Sequence, residues 1–259
     1  YQYETYNKVE FDLNRIPKEM QERKIFKPIK FVFDNVDSAN SGEKPSLPIF
    51  ITEAISDVYY RSNPTLKKEV IRANKITGIE NTSVTSVMGD MYQNINVYDN
   101  HILVFNKDFV SPISDNGLFY YKYYLEDSIF IGNTRCYHIR FKSKRPQELC
   151  FSGNMWISDT TWAVKRLEMS IPKDANINFI NAASIVQEFT QVDSTWMLSK
   201  DRLVIDFAMN KNQVGIYGRK TTSYKDFKIN QPKDTKFYEF GDKIIVEDSA
   251  LLYTNEFWD

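Results

Sequence analysis

The chain has 259 residues, of which 42% are apolar and 26% are charged, and this balance excludes an intrinsically disordered protein. Lysine and arginine (33) nearly equal aspartate and glutamate (34), so the net charge of −1 excludes the basic surface typical of nucleic-acid-binding proteins. No apolar run approaches the ~20 residues that a membrane-spanning helix needs, and 16 Tyr and 18 Phe against 9 Gly favour strands.

The N-terminal half has a mixed pattern. Residues 3–14 alternate between polar and apolar and predict a strand. Residues 16–28 predict a short helix with a proline at its first position, and residues 38–48 predict a polar loop. Residues 49–60 and 67–77 predict two further strands.

A second helix is predicted at residues 81–95. Val84, Met88, Met91 and Ile95 fall on one helical stripe, and Asn81 or Thr82 can cap its start. We expect this helix to lie against the apolar side of the sheet.

From residue 118 onward the chain alternates with period two. Each segment has one apolar and one mixed face, the pattern of an antiparallel sheet covered on one side. The predicted strands are 118–125, 135–141, 149–157, 202–209, 218–229 and 243–248. In the first of them, Phe119, Tyr121, Tyr123 and Leu125 share the apolar face.

An Asp-Ser/Thr-x-aromatic motif recurs at Asp127, Asp159 and Asp193, with spacings of 32 and 34 residues. Two strands and two turns of a β-meander account for this period. An aspartate followed by Ser or Thr provides acceptors for backbone N–H groups in turns. The motif therefore predicts three turn caps at one end of the sheet. A shared cation site there is the less favoured alternative, since calcium loops need more oxygen ligands.

The sequence is poor in catalytic signatures. It has no GxSxG, HExxH or P-loop motif, and its two histidines, His101 and His138, cannot build a histidine metal cluster. Cys136 and Cys150 flank a predicted turn too far apart for a disulfide, which predicts two buried free thiols. A Cys136–His138 nucleophile has no evident orienting group. We expect no catalytic residue, metal or cofactor.

The surplus of aromatic residues suggests a ligand surface. A curved sheet whose hollow is only partly filled by helices leaves an apolar groove for acyl chains or an apolar peptide. The candidate residues for such a groove are Met88, Tyr121, Tyr123, Tyr137, Phe151 and Met155. The alternative is that these side chains form the core, which is the usual place of apolar residues on a covered sheet.

Several stretches resemble the central domain of Bacteroidota outer-membrane proteins. They are PIFITEAISDVYY (48–60), KITGIEN (75–81), DMYQNINVYDN (90–100), FVSPISDNGLFYYKYYLEDS (109–128), SGNMWISDTTWAVKRLEM (152–169), ANINFINAASIVQEF (175–189) and NEFWD (255–259). The resemblance implies one periplasmic domain over 1–259, between an N-terminal transthyretin-like, carboxypeptidase-regulatory-like domain and a C-terminal outer-membrane β-barrel. The middle part also resembles the lipoprotein-carrier fold, in which an incomplete barrel wraps around helices.

The expected fold is therefore mainly β (α+β): a curved antiparallel sheet or incomplete barrel with two or three helices on its concave face. The expected function is a non-enzymatic module on the periplasmic side of the outer membrane, binding a lipid, an acyl chain, an apolar peptide or an envelope partner, with the protein's own barrel as a further partner. The alternatives are a structural or protein-interaction domain with a closed core, and an enzyme acting on glycan or peptide. The carboxypeptidase label of the neighbouring domain implies no peptidase activity here.

Overall fold

The computed structural model describes residues 1–14, 46–78, 91–93, 95–172, 175, 177, 180–208, 215–239, 241–250 and 258. In this part of the chain the strands are β1 (Gln2–Asn14), β2 (Ser46–Arg61), β3 (Leu66–Gly78), β4 (His101–Val104), β5 (Lys107–Val110), β6 (Tyr121–Ile131), β7 (Thr134–Ser143), β8 (Ser152–Ser158), β9 (Val164–Ser170), β10 (Ile180–Val192), β11 (Thr195–Ala208), β12 (Gly215–Lys228) and β13 (Ile244–Val246). The helices are α1 (Gly117–Tyr120) and α2 (Thr235–Glu239).

Eleven of these strands form one sheet in the order β13-β3-β2-β1-β12-β11-β10-β9-β8-β7-β6. Strands β6 to β12 follow one another as a meander, and β1 inserts between β12 and β2. All neighbours are antiparallel except β13, which runs parallel to β3. Because β6 and β13 stand at opposite ends, the sheet is open, and the predicted curved antiparallel sheet is confirmed.

The two faces of the sheet differ in polarity, as the period-two pattern predicts. The inner face carries buried apolar side chains, among them Val9, Phe141, Leu167, Ile185 and Leu203. Cross-strand register places these residues on the same side. The outer face carries charged residues and aromatic rings, such as Arg140, Trp156, Arg166 and Arg202.

Residues 95–113, here called the covering segment, close the inner face over β6 to β11. Ile95, Val97, Ile102, Val104 and Phe109 are all buried in the main core cluster. The segment includes the β4–β5 hairpin, and hydrogen bonds hold it at several points. Gln187 Nε2 donates a bond of 2.8 Å to the carbonyl of Ile95, and the Val110 N–H donates one of 2.9 Å to the Leu149 carbonyl. Among the described residues, the β4–β5 hairpin therefore helps to fill this half of the inner face.

The predicted helices at 16–28 and 81–95 fall largely outside the described residues. Within the second range, Met91 has helical backbone, whereas Ile95 is not helical. The predicted loop at 38–48 also lies mainly outside them, but its last residues begin β2. The predicted strands in the N-terminal half are confirmed as β1, β2 and β3.

The predicted strand 118–125 is wrong at its start. Residues 117–120 form the short helix α1, and the strand begins at Tyr121. Phe119 is 73% exposed and Leu125 is 70% exposed, so neither belongs to the buried apolar face. The period-two pattern gave the wrong prediction here. Strand β6 is the end strand of the sheet, and the covering segment does not extend over its C-terminal part.

Candidate functional site

Three of the six side chains predicted to line a groove are part of the packed core. Tyr121 (1% exposed), Phe151 (0%) and Met155 (4%) are buried. The Tyr121 hydroxyl donates a hydrogen bond to the Val110 carbonyl and accepts one of 3.0 Å from the Phe151 backbone N–H. Phe109 of the β4–β5 hairpin stacks on Phe151, with 4.8 Å between ring centroids. These three side chains are therefore sealed beneath the covering segment.

Two more members of the predicted groove are partly buried. The Tyr123 hydroxyl donates a hydrogen bond of 2.8 Å to the Pro112 carbonyl, and the Tyr137 ring stacks on Trp162 at 5.8 Å. Met88 lies outside the described residues. The covering segment occupies the place where the groove was expected, and ligand binding by this set of residues stays a prediction.

Asp127 does not cap a turn, so that prediction is wrong. It lies within β6 opposite His138, and its Oδ1 is 3.1 Å from His138 Nδ1. The β6–β7 turn falls five residues later, at Gly132 and Asn133, where Gly132 has a φ of 60°. A Gly-Asn pair between two strands is a known hairpin signal. That pair, rather than the aspartate, marks the turn in the sequence.

Asp159 and Asp193 do lie in turns, at the same end of the sheet. In the β8–β9 turn, the Ser158 hydroxyl accepts a hydrogen bond of 3.4 Å from the Thr161 backbone N–H. Asp193 has a φ of 53°, a conformation that aspartate tolerates better than most residues. Side-chain capping by these two aspartates stays a prediction.

A hollow of about 490 Å³ lies on the inner face over β12, β1, β2 and β3, beyond the reach of the covering segment. Tyr92 and Gln93 also border it, and Gln93 Oε1 accepts a hydrogen bond of 3.2 Å from the backbone N–H of Phe105. Its wall is amphipathic. The apolar and aromatic part is formed by Tyr3, Ala54, Val58, Ile71, Tyr92, Tyr224 and Ile244, and the polar part by Thr5, Asn7, Thr52, Ser56, Lys67, Glu69, Asn74, Gln93, Lys220 and Thr222.

A row of polar side chains separates this hollow from the apolar core. Gln187, Asp201, Thr222 and Asn7 are successive cross-strand neighbours on β10, β11, β12 and β1. Gln187 Nε2 donates a hydrogen bond of 3.2 Å to Asp201 Oδ1, and Thr222 Oγ1 donates one of 3.1 Å to Asn7 Oδ1. Thr222 and Asn7 also line the hollow, so the row continues into its wall.

Two ionisable groups of opposite sign lie at this boundary. Lys220 pairs with Leu203, two positions along β11 from Asp201, so the two charged residues are diagonal neighbours on the inner face. Burial raises the pKa of the Asp201 carboxyl, although Lys220 and the hydrogen bond from Gln187 oppose that shift. Burial also lowers the pKa of the Lys220 ammonium, against the attraction of Asp201. Both groups are thus held partly out of water next to the hollow.

One pair of carboxylates in the described part of the chain, Glu4 and Asp57, is neutralised by neighbouring cations. Glu4 and Asp57 approach each other on the outer face, but Arg72 forms ion pairs with both, and Lys225 forms one of 2.8 Å with Glu4. Burial opposes ionisation of Glu4, yet hydrogen bonds from Lys225 and Arg72 leave its pKa lowered. Burial raises the pKa of Asp57. The arrangement is that of a charge network across strands.

The cysteines and His138 do not form a nucleophilic pair. Both thiols are free and buried, as predicted, and burial raises the pKa of each. The ring nitrogens of His138 lie 3.1 Å from Asp127 Oδ1 and 3.0 Å from Asn154 Oδ1, so the imidazole is engaged away from Cys136. In the described part of the chain, no group of three His, Cys, Asp or Glu side chains could hold a metal ion. The same residues contain no helix long and apolar enough to span a bilayer.

Sequence reasoning missed the hollow, although a signal was present. On β1 the inner-face residues run Tyr3, Thr5, Asn7, Val9 and Phe11, changing from polar to apolar along one strand. Strand β12 shows the same change, with Thr222 and Tyr224 at one end and Ile216 at the other. A period-two face that turns polar halfway along marks the place where the core gives way to a cavity.

Comparison with known proteins gives a family and three distant structural likenesses. Residues 1–227 match the family model described as a family of unknown function, DUF5686. No curated protein matches the chain.

Three solved structures are similar over most of their length. A DUF1329 family protein from Desulfovibrio piger is 10% identical with a TM-score of 0.31, over 92% of this chain and 90% of that one. A putative outer membrane lipoprotein-sorting protein domain from Vibrio parahaemolyticus is 6% identical with a TM-score of 0.30, over 91% and 88%. A LolA superfamily protein from Nitrosomonas europaea is 7% identical with a TM-score of 0.27, over 92% and 89%. All three TM-scores are below 0.5, and nothing about this chain is inferred from them.

Proposed function

The chain belongs to a family of unknown function, DUF5686, and we propose that it is a binding module that holds the apolar part of a lipid or acyl chain in the hollow over β12, β1, β2 and β3. One observation carries the proposal: the hollow of about 490 Å³ on the inner face of an otherwise packed sheet. Small-molecule sites usually occupy about 300–1,000 Å³ and combine apolar walls with a few polar groups. The volume of this hollow falls in that range, and its wall combines seven apolar or aromatic residues with ten polar ones, which suits a ligand that has both an apolar and a polar part.

The contrast between the two halves of the inner face supports this proposal. Over β6 to β11 the covering segment packs on the sheet and leaves a closed core. Over the other half, the side chains of Tyr3, Val58 and Tyr224 border a cavity instead. Large apolar side chains around unfilled space lose contacts that a ligand can restore.

We propose that the module is not an enzyme. Glu4 and Asp57, which pair across β1 and β2, are tied to Arg72, and both thiols are buried. Catalytic sites generally bring perturbed groups together in a cleft that a substrate can enter. The hollow instead gathers hydroxyl, amide and aromatic groups with two lysines, Lys67 and Lys220, and one glutamate, Glu69.

The periplasmic location and the two neighbouring domains that the sequence resemblance implies are part of the same proposal. A lipid-binding module in that compartment would meet lipids and lipoproteins of the envelope. Its partners would then be the lipid itself and other envelope proteins.

A structural domain without a ligand is the second candidate. The sealed packing of Tyr121, Phe151 and Phe109 favours it, because half of the inner face needs no ligand to be complete. The two candidates differ in whether the hollow takes up an apolar molecule.

The test is titration with N-phenyl-1-naphthylamine, a neutral apolar fluorophore, against wild type and two tryptophan variants. Ala54→Trp places a large ring in the hollow, whereas Ser223→Trp places it on the outer face of the neighbouring part of the sheet. We expect saturable binding of one probe per chain, weakened at least tenfold by Ala54→Trp and unchanged by Ser223→Trp.

Equal binding by both variants would place the probe elsewhere and contradict the proposal. Native mass spectrometry of the protein purified from its own envelope gives a second reading. A co-purified lipid that is lost in Ala54→Trp supports the binding module, and binding of no probe and no lipid supports the structural domain.

A further inference from the structure

Lys220 is the group in the hollow whose position the packing does not explain. It is a partly buried side chain on β12 that faces the cavity beside Thr222 and Asn7. Among the described residues, no hydrogen bond and no ion pair within 4.0 Å involves its ammonium group. The buried carboxylate of Asp201 acts on it only through its field, and Asp201 is not among the residues that line the cavity.

A lysine in this position is costly for the folded protein. Moving an ammonium group out of water without a hydrogen-bonded partner is unfavourable, and proteins usually avoid it by pairing the charge or leaving it in solvent. The same desolvation cost lowers the pKa of Lys220, because burial disfavours the charged ammonium relative to the neutral amine. An anion bound in the hollow would reduce this desolvation cost by pairing with the ammonium group.

The neighbours of Lys220 in the wall are donors suited to the same anion. Asn7 and Thr222 pair across the strands one same-face position from Lys220, and Tyr224 follows Thr222 on the same face of β12. Asn7 Oδ1 already accepts a hydrogen bond from the Thr222 hydroxyl. The side-chain N–H groups of Asn7 are therefore the groups that can donate to a ligand. Charge complementarity points the same way, because the wall contains two lysines, Lys67 and Lys220, against the single acid Glu69.

We propose that the ligand is an anionic amphiphile, with one acyl chain and a carboxylate head group that binds to Lys220. The chain lies along the apolar part of the wall, near Tyr3, Val58 and Ile71, and the Asn7 amide completes the contacts of the head group. The inference rests on the proposed function, since it names the class of molecule that the hollow holds. It adds a charge requirement that an apolar site would not have.

The experiment compares palmitate with hexadecanol as competitors of N-phenyl-1-naphthylamine, at concentrations below micelle formation. The two molecules share a chain and differ in head-group charge. We expect palmitate to bind wild type at least tenfold more tightly than hexadecanol, since a charge-assisted hydrogen bond corresponds to about tenfold or more in affinity. Lys220→Met should abolish the difference, and Lys220→Arg should keep most of it. Circular dichroism checks that both variants fold.

The outcomes separate this inference from the proposed function. If both competitors bind wild type equally, or if Lys220→Met keeps the preference for palmitate while Ala54→Trp abolishes binding of both, the hollow binds apolar chains and the role of Lys220 is wrong. If the fluorophore does not bind, or Ala54→Trp leaves its binding unchanged, the proposed function itself fails. Acetate at the same concentration should not compete, and competition by acetate would assign the site to small anions instead of amphiphiles.

Discussion

At the scale of single residues, the position of one side chain on β12 decides its environment. Arg219 points to the outer face and forms an ion pair of 2.7 Å with Asp12. Lys220, the next residue, points to the inner face and lies beside Asp201 without an ion pair within 4.0 Å among the described residues. Two adjacent cations of the same strand therefore differ in their partners, because successive side chains point to opposite faces of the sheet.

The partly buried charge of Lys220 should make the protein less stable than it could be. Replacing Lys220 by Met removes the desolvation cost of the ammonium and keeps the length of the side chain, so we expect the free energy of unfolding at neutral pH to rise by on the order of 1 kcal/mol. The measurement is urea denaturation at several pH values, with Lys200→Met on the outer face as the control.

The pH dependence of that difference has a defined sign. The pKa of Lys220 is lowered in the folded state, so the unfolded chain binds the proton more tightly. Between the folded pKa and the ordinary value of 10.5, the stability of wild type therefore rises with pH relative to Lys220→Met. The stability advantage of Lys220→Met over wild type should therefore shrink in that pH range. An advantage that grows with pH would contradict the lowered pKa of Lys220.

At the scale of elements, pairs of strands differ in how closely their backbones approach. Gly153 on β8 faces Met169 on β9, and a Cβ atom built there would lie 1.9 Å from the Glu168 carbonyl oxygen. Gly132, in the β6–β7 turn, has a φ of 60° but open space around it. The first glycine allows close pairing of strands, and the second allows a left-handed turn.

Alanine at these two glycines should therefore have unequal effects. Gly153→Ala pushes backbone against backbone within the meander, and we expect it to lower the free energy of unfolding by about 3 kcal/mol. Gly132→Ala places a Cβ in a left-handed conformation without a clash and should cost about 1 kcal/mol. Urea denaturation of both variants measures the difference. Equal losses would mean that strand pairing at Gly153 relaxes at little cost.

At the scale of the whole molecule, the sheet joins distant parts of the chain. Strand β1 pairs with β12 on one side and β2 on the other, so the N-terminal strand lies inside the sheet. Val9 of β1 is fully buried in the same core cluster as Leu203 and Ile185. The C-terminal meander and the N-terminal strands therefore share one hydrophobic core and should unfold together.

A core substitution in β1 tests this cooperativity. Val9→Ala should lower the free energy of unfolding by about 1–3 kcal/mol, and the outer-face control Lys8→Ala should change it by less than about 0.5 kcal/mol. Tryptophan fluorescence, which reports on Trp156 and Trp196 in the meander, should shift together with far-UV circular dichroism. Separate transitions would show that the two halves unfold independently.

The sequence by itself determined the class of the fold and most strand positions. Alternation with period two is a local property of a covered strand, and it located β1, β2, β3, β7, β8, β11 and β12, whereas β9 and β10 were not predicted. It did not determine the ends of β6, where Phe119 is helical and Leu125 is exposed, because alternation does not show how far the cover extends. It also misplaced Asp127, where the Gly132 turn was the stronger signal.

Only the tertiary structure decided which half of the inner face is closed. The covering segment packs over Tyr121, Phe151 and Met155, and the sheet order brings Tyr3, Val58 and Lys220 around a hollow. Alternation tells which side chains share a face but not what lies opposite that face. The answer depends on contacts between residues far apart in the chain, since β1 meets β12 across more than 200 positions. The core and the candidate site therefore share the period-two pattern. The face turns polar beside the hollow, but only the tertiary structure shows where the covering segment ends.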